Sequence, residues 1–353
     1  MKRSLIRSIC VLITACILAG CSAETKATTT ATSVTETTES TTESTEATTT
    51  TEARGHYEYK PVVMSSIFLD IMGEDMYDAY KNYIAAVQNG EDEFAVKTEE
   101  AYDWMIGQFP GCFQPLYDIY TESNYGGAWK NGRATFQYKI SKEELAEKEA
   151  EFEKLVVDIL NENLRDDYSD FEKALVLYIY ISTNYTYDYE VLKKLDDNPE
   201  YPVSAYRFLT EKHGICSECS TAYSFLLLQA GVDATIAGGD RPSDHAGHGW
   251  SYVTINGKNY HIDPTYGMCS PGSMAYFMMT DEQREKEDGY QKSGTTIGCH
   301  YKGDKNGDKY TADDDTFAPL WDGKFLSMDH ENKLIHYYDI DGNSKTFDYS
   351  AFG

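Results

Sequence analysis

The sequence predicts an α+β fold, and three observations predict it. Residues 141–230 hold a succession of capped helical stretches, residues 234–265 alternate with the two-residue period of strands, and residues 323–349 alternate again in three short runs. Helices and strands are segregated along the chain, which is the pattern of α+β proteins rather than of wound parallel sheets. The elements follow in order. Asp75–Asn89 and Thr98–Phe109 carry apolar residues at helical spacing, the second stopped by Pro110. Tyr117–Ile140 reads as short strands with turns at Gly126-Gly127 and Asn131-Gly132. Ser141-Lys-Glu-Glu144 has the form of a capping box and opens a charged helix to about Asn163. Ser169 caps the next helix, which carries Ala174, Leu175, Leu177, Tyr178 and Ile181 at helical spacing. A helix over Val203–Glu211 is followed by the breaker His213-Gly214 and an apolar helix over Cys216–Ala230 that ends at Gly231. Strands dominate Ala234–Thr265. The last segment, punctuated by Asp329–Asn332 and Asp341–Asn343, reads as a small antiparallel meander. No internal repeat is evident.

The first 53 residues stand apart in composition. Lys2, Arg3 and Arg7 precede an apolar run from Ile9 to Ala19, the pattern of a secretory signal. The run is shorter than the roughly 20 residues a membrane-spanning helix needs. Leu18-Ala19-Gly20-Cys21 resembles the bacterial lipobox. That resemblance implies cleavage before Cys21, its lipidation, and anchoring at the outer face of a bacterial cytoplasmic membrane or another envelope membrane. An ordinary signal peptide followed by a stray cysteine is the alternative. Residues 22–53 are nearly all Thr, Ser, Ala and Glu, with Val34 the one large aliphatic residue. Such a stretch buries too little apolar surface to repay ordering and is expected to be a disordered tether, holding the folded part on the order of 30 Å from the membrane. The expected organisation is a signal over 1–20, a tether over 21–53, an N-terminal α+β region over 54–168, a core over 169–300, and an acidic loop with the meander over 301–353.

The formal charge of the 353-residue chain is -27. Loss of Lys2, Arg3 and Arg7 with the signal leaves 58 acidic against 28 basic residues, near -30. This argues against nucleic acid or an anionic lipid surface as a partner of the folded part. Cys10 and Cys16 leave with the signal, and Cys112, Cys216, Cys219, Cys269 and Cys299 remain beside the lipidated Cys21. Five is odd, so a monomer keeps at least one free thiol; the pairing among Cys112, Cys219, Cys269 and Cys299 stays open. Cys216-Ser-Glu-Cys219 has CxxC spacing, but no second pair at zinc-site spacing accompanies it, which leaves redox or zinc roles as minor alternatives. Asp304, Asn306, Asp308 and Asp315 sit at positions 1, 3, 5 and 12 of a calcium-like loop, yet Lys309 occupies the place that needs glycine. The segment reads as an acidic solvated loop. Neither a metal nor a cofactor is expected.

Two features carry chemistry. Cys216 falls in the first turn of its helix, where the helix dipole and free amides stabilise a thiolate and an adjacent oxyanion. A buried structural cysteine is the bland reading of that position. The second feature is the hairpin around Asn256-Gly257. Pairing Ile255 with Lys258 sets Trp250 opposite Asp263 and His248 opposite Thr265, all on one face, with Val253, Ile255, Tyr260 and Ile262 on the other. His248 and Asp263 are then diagonal neighbours within side-chain reach. A thiol nucleophile needs this pair: one imidazole nitrogen takes the cysteine proton while a carboxylate holds the other. A modest cross-strand surface pair is the alternative.

These residues resemble a known family. Gly214-Ile-Cys216 with Ala222 and Gly231 downstream, and His248-Gly-Trp250, Gly257, Tyr260, Asp263 and Thr265, are similar to the motifs of the transglutaminase-like superfamily. Glu172-Lys-Ala174 through Tyr185-Thr-Tyr187-Asp188 and Ser204-Ala-Tyr206 resemble its upstream segments. The resemblance covers about 169–267, is weaker over 56–168 and is absent from the tail. It implies a papain-like core, a nucleophile helix packed on an antiparallel sheet. It also implies Cys216 as nucleophile, His248 rather than His245 as base, and Asp263 as the orienting group. Tyr206 and Trp250 are the candidate substrate or oxyanion residues, with packing against the nucleophile helix the alternative for Tyr206; His261 is expected at a solvated strand position, with a place lining the cleft the alternative. Gly249, Ser251 and Cys219 depart from the family pattern, and a Cys216–Cys219 link would silence the site. The implied function is thiol-dependent acyl chemistry on a peptide, protein or cell-wall amide outside the cell, by hydrolysis or transamidation. The rival is a surface ligand-binding module on the same fold.

Overall fold

The computed structural model describes residues 54–102, 114–123, 129–198, 201–298 and 306–352. The signal, Cys21, the tether, Cys112, Cys299, Asp304 and most of the helix expected over Thr98–Phe109 lie outside them. In the N-terminal region α1 (Ser66–Met72) and α2 (Glu74–Gln88) precede a small sheet of β1 (Glu93–Ala95), β2 (Thr121–Ser123), β3 (Trp129–Lys130) and β4 (Arg133–Tyr138). The expected strand at Tyr117 is instead α3 (Pro115–Tyr120). Pro115 explains the difference: its fixed φ and missing N–H suit the first helical position.

Two helices opened by serine caps follow, α4 (Lys142–Asn163) and α5 (Asp170–Asn184). The Ser141 hydroxyl accepts from the Glu144 amide, and Ser169 forms a full capping box with Glu172. A short parallel pair, β5 (Thr186–Tyr187) with β6 (His213–Gly214), brackets α6 (Tyr189–Asp197) and α7 (Ala205–Glu211). The nucleophile helix α8 (Cys216–Gln229) comes next. It is buried on nearly every side, with Ser217 exposed at its start. One wall around it is the central antiparallel sheet of β7 (Asp233–Asp240), β8 (Gly247–Ile255) and β9 (Lys258–Ile262), with a late strand, β10 (Thr295–Ile297), on the β7 edge.

The hairpin register is the predicted one: Ile255 pairs with Lys258 and Ser251 with Ile262. Asn256 and Gly257 both take positive φ, as the tight turn requires. The ladder stops at Ile262, however. Asp263 caps α9 (Pro264–Cys269), and Thr265 is helical rather than a strand partner of His248. Two more helices, α10 (Asp281–Asp288) and α11 (Ala318–Trp321), precede the C-terminal meander of β11 (Lys324–Asp329), β12 (Leu334–Tyr338) and β13 (Ser344–Asp348).

The main apolar core runs from the N-terminal helices through α5 and α8 to Val253, Ile255, Tyr260 and Ile262. A smaller cluster of Trp250, Tyr252, Tyr290 and Ile297 covers the other face of the sheet. Both faces are therefore buried, and the polar site face of the hairpin is enclosed rather than open. Among the described residues no helix is long and apolar enough to cross a membrane.

Candidate active site

The site begins with how the chain delivers Cys216. Parallel pairing of β5 and β6 sets Tyr187 beside Gly214, two residues before the thiol. Gly214 is required by close approach, since a Cβ there would lie 2.7 Å from both Glu218 Oε2 and the Phe208 ring. Glu218, buried in the first turn of α8, accepts from the Ile215 amide (3.1 Å), the Ser204 amide (2.8 Å) and Arg207 Nε (2.8 Å), with Arg207 Nη2 closing the pair. Arg207 also contacts Asp188, which caps α6 and accepts from His213 Nδ1 (2.7 Å). These bonds hold the backbone at residues 204, 215 and 216 in one place. Cys216 is thereby fixed as the first helical residue, where backbone amides have no intrahelical acceptor.

His248 and Asp263 meet because β9 is shorter than β8. Gly247–Trp250 have β7 beside them on one side, and the lane β9 vacates is filled by the Asp263 cap. His248 Nε2 lies 2.6 Å from Asp263 Oδ2, with both residues buried. Oδ1 accepts from the Thr265 and Tyr266 amides at 3.0 and 3.2 Å, so the helix start locks the carboxylate. Burial alone would depress the imidazole, but the charge and hydrogen bond of Asp263, with a contribution from the Cys216 thiol, raise it to about 9. Burial opposes ionisation of Asp263 too, yet the His248 and Arg284 charges hold its carboxyl well below the usual range. The remaining imidazole nitrogen, Nδ1, is buried and has no hydrogen-bond partner. Its neighbour is Cys216, itself 5% exposed. The structure thus brings Cys216, His248 and Asp263 together in the order acid–base chemistry needs.

The surrounding candidates fall differently. Tyr206 packs its ring on Tyr120 (5.8 Å) and Phe152 (5.3 Å), against the N-terminal region. Trp250 is fully buried and donates from Nε1 to His261 Nδ1 (2.8 Å), so it braces the site from behind rather than meeting a substrate. His261 is buried rather than solvated; its Nε2 faces Asp281 Oδ1 at 3.0 Å. With Nδ1 accepting, the proton sits on Nε2, and burial favours this neutral form.

A tyrosine not singled out as a site candidate from the sequence, Tyr187, lies near the thiol where Tyr206 does not. The Tyr187 hydroxyl is buried, unpartnered and close enough to Cys216 to feel its charge; burial, then Cys216, raises its pKa, so it stays a donor. Its ring meets that of the exposed Tyr189 at 4.8 Å. A second missed residue is Arg284, fully buried, with Nη1 2.8 Å from Asp263 Oδ2. The Thr280-Asp-Glu-Gln283 cap was the readable sign of the helix carrying Arg284; Thr280 does accept from the Gln283 amide. Cys216 and Cys219 are both free thiols, so no Cys216–Cys219 link is present. Cys219 is buried, which pushes its thiol up and leaves it inert. Gly249 leaves room for the alanine usual in the family, its nearest side-chain neighbour being Ser220 Oγ at 3.4 Å. The Ser251 hydroxyl, the other departure on β8, donates to the Ser220 carbonyl (3.0 Å) and ties the strand to α8. Among the described residues no group of three or more His, Cys, Asp or Glu side chains is placed to hold a metal ion.

A cysteine at a helix start, a histidine on the adjoining sheet and an aspartate at the strand end define a Cys-His-Asp site on a papain-like α+β scaffold. Residues 158–264 match the family model of the transglutaminase-like superfamily, so the chain carries a transglutaminase-like core, and all three site residues fall inside the match. No curated protein matches the chain. Among solved structures it is similar to a TGase, at 19% identity and a TM-score of 0.28 over 36% of this chain and 34% of that one. It is also similar to a proposed cysteine protease from Cytophaga hutchinsonii, at 18% identity and a TM-score of 0.21 over 26% and 30% of the two chains. A third is the arylamine N-acetyltransferase (BACCR)NAT3 from Bacillus cereus, described with a Cys-His-Glu triad. It is 16% identical, with a TM-score of 0.27 over 57% of this chain and 98% of that one. The chain thus spans about a third of the length of the first two.

Proposed function

We propose that this protein is a thiol-dependent acyl-transfer enzyme acting on peptide or glutamine amides, with Cys216 as nucleophile, His248 as base and then acid, and Asp263 as the orienting group. The observation that carries this reading is the free, buried Nδ1 of a histidine whose Nε2 is tied to a carboxylate. The cysteine proton moves to Nδ1 as Sγ bonds to the amide carbonyl carbon. The resulting oxyanion is met by the first-turn amides of α8 and by the Tyr187 hydroxyl. The His248 imidazolium then protonates the leaving amine, the C–N bond breaks and a thioester remains. Attack by water returns an acid, and attack by an amine returns a new amide. No cofactor takes part. Near Cys21 we propose a lipid anchor that places the domain outside a bacterial membrane, where extracellular peptides, proteins or cell-wall amides are the substrates. Incorporation of labelled fatty acid that is lost in Cys21→Ala tests that placement.

An activated ester such as p-nitrophenyl acetate tests the chemistry without knowledge of the substrate. The expected result is a burst of p-nitrophenolate stoichiometric with protein and an acetyl thioester on Cys216, absent from Cys216→Ser and His248→Ala. A folded wild type that gives no burst and no adduct ends the enzyme reading. The near-closure of Cys216 favours one rival, a binding module that keeps the fold without turnover; its ligand affinity would be indifferent to Cys216→Ser.

A further inference from the structure

Helix α10 builds a charged layer behind the triad. Asp281, Arg284 and Asp288 lie three and four residues apart and so share one face of the helix. Arg284 is about 1% exposed, and its guanidinium lies over the Trp250 ring at 4.0 Å. Nη1 is 2.8 Å from Asp263 Oδ2, the same oxygen that meets His248 Nε2 at 2.6 Å. Nη2 approaches Asp288 Oδ2 at 3.1 Å without making a hydrogen bond, and Nε is also unpartnered. A guanidinium buried only to support the fold would be expected to have its donors satisfied, since unmade hydrogen bonds in the interior are costly. Among the described residues this one is half-satisfied, and the carboxylate it hydrogen-bonds there is the triad aspartate.

We propose that Arg284 is a positioning residue of the triad: it holds Asp263 in register with His248 and draws on the same carboxylate oxygen, so that the imidazolium remains able to release its proton to the leaving group. The inference rests on the triad assignment made above. The charged and titratable groups facing His248 come from four elements. They are Cys216 on α8, Asp263 and Tyr266 at the start of α9, Arg284 and Asp288 on α10, and Tyr290 beyond it. Of these, Arg284 alone carries a fixed positive charge. Without it His248 would sit against two uncompensated carboxylates and hold its proton more tightly. Trp250 has its place in the same scheme. Its indole is pinned through His261 to Asp281 on α10, and its ring face covers the guanidinium.

The test is the pH profile of Cys216 alkylation by iodoacetate in the full chain, read by peptide mass spectrometry. An anionic reagent is attracted by the imidazolium, so its rate falls as His248 loses its proton. Wild type is expected to show that alkaline limb near pH 9, and His248→Ala to lack it. In Arg284→Met the limb moves upward by about 1 pH unit. In the near-isosteric Asp288→Asn, which removes a carboxylate and frees Arg284 for Asp263, it moves downward. A limb unmoved in folded Arg284→Met overturns the proposal; if that variant does not fold, an unmoved limb in Asp288→Asn overturns it alone. A wild type without any His248-dependent limb is a different result, and it removes the triad assignment itself.

Discussion

Two buried carboxylate–histidine pairs in this molecule look alike and differ in what surrounds the second ring nitrogen. Asp263 meets His248 at 2.6 Å and Glu172 meets His330 at 2.7 Å, and both carboxylates are fully buried. The difference lies in the second ring nitrogen. His330 places its Nε2 3.3 Å from Asp167, so both nitrogens are engaged by anions. His248 keeps Nδ1 free beside a thiol. Glu172 Oε1 collects further donors from Lys333 and the Tyr349 hydroxyl, and all three partners of that oxygen come from the C-terminal segment. It is a clamp that fastens the meander to the start of α5. Under the proposed function, the pair that serves as a base is the one with a nitrogen left over and a thiol next to it.

The largest effects are expected where the free nitrogen is used. His248→Ala should lower the rate of thioester formation by about 10²–10⁴-fold, and Cys216→Ser should abolish the adduct, both read by the ester burst. The equivalent change at the clamp, His330→Ala, should leave the burst intact; loss of activity there would break the comparison. Next in size is Glu218→Ala. It leaves Arg207 with only Asp188 and Glu211, strips the Ser204 and Ile215 amides of their acceptor, and should cost about 3–5 kcal/mol in urea unfolding, with Cys216 labelling disturbed.

A smaller effect is expected at Glu172. Glu172→Gln should loosen the meander by about 1–3 kcal/mol, seen as faster hydrogen exchange over Leu334–Tyr338 with Cys216 alkylation unchanged. The pH dependence sharpens the contrast. Burial alone would raise the Glu172 carboxyl, but hydrogen bonds from Tyr349, Ser169, His330 and Lys333 hold it below its ordinary value of 4.5. Its contribution is present above that value and is lost as pH falls through the lower folded value, so exchange over the meander should quicken in acid. His248 behaves in the opposite sense. Its folded value of about 9 exceeds the ordinary 6.5, so its contribution is complete below pH 6.5 and is lost as pH rises through 9. The stability curve of Glu172→Gln should therefore converge on that of wild type in acid, and the curve of His248→Ala should converge on it above pH 9. Coincident curves would falsify the assignment of these two carboxylates to different roles.

The sequence by itself determined a good deal of this protein. The serine caps at Ser141 and Ser169, the Asn256-Gly257 turn and the register it imposes are local, because backbone conformation and side-chain period act over a few residues. The meeting of His248 and Asp263 was legible for the same reason, since one hairpin joins them, and the family resemblance added Cys216. Even the end of β9 had a local sign, since Asp263-Pro-Thr is a helix cap followed by proline at the first position. Only the tertiary structure decided the rest. Nothing near Arg284 in the chain says that it will be buried under Trp250 and joined to an aspartate 21 residues away. Tyr206 and Tyr187 could not be told apart as neighbours of the thiol until the β5–β6 pairing brought one to Gly214 and the N-terminal region absorbed the other. His261 passed for a solvated residue until α10 and the segment to Ile297 covered that face of the sheet. Burial, and with it the protonation state of each of these groups, depends on what segments distant in sequence bring to the same place, and the two-residue period of a strand carries no record of that.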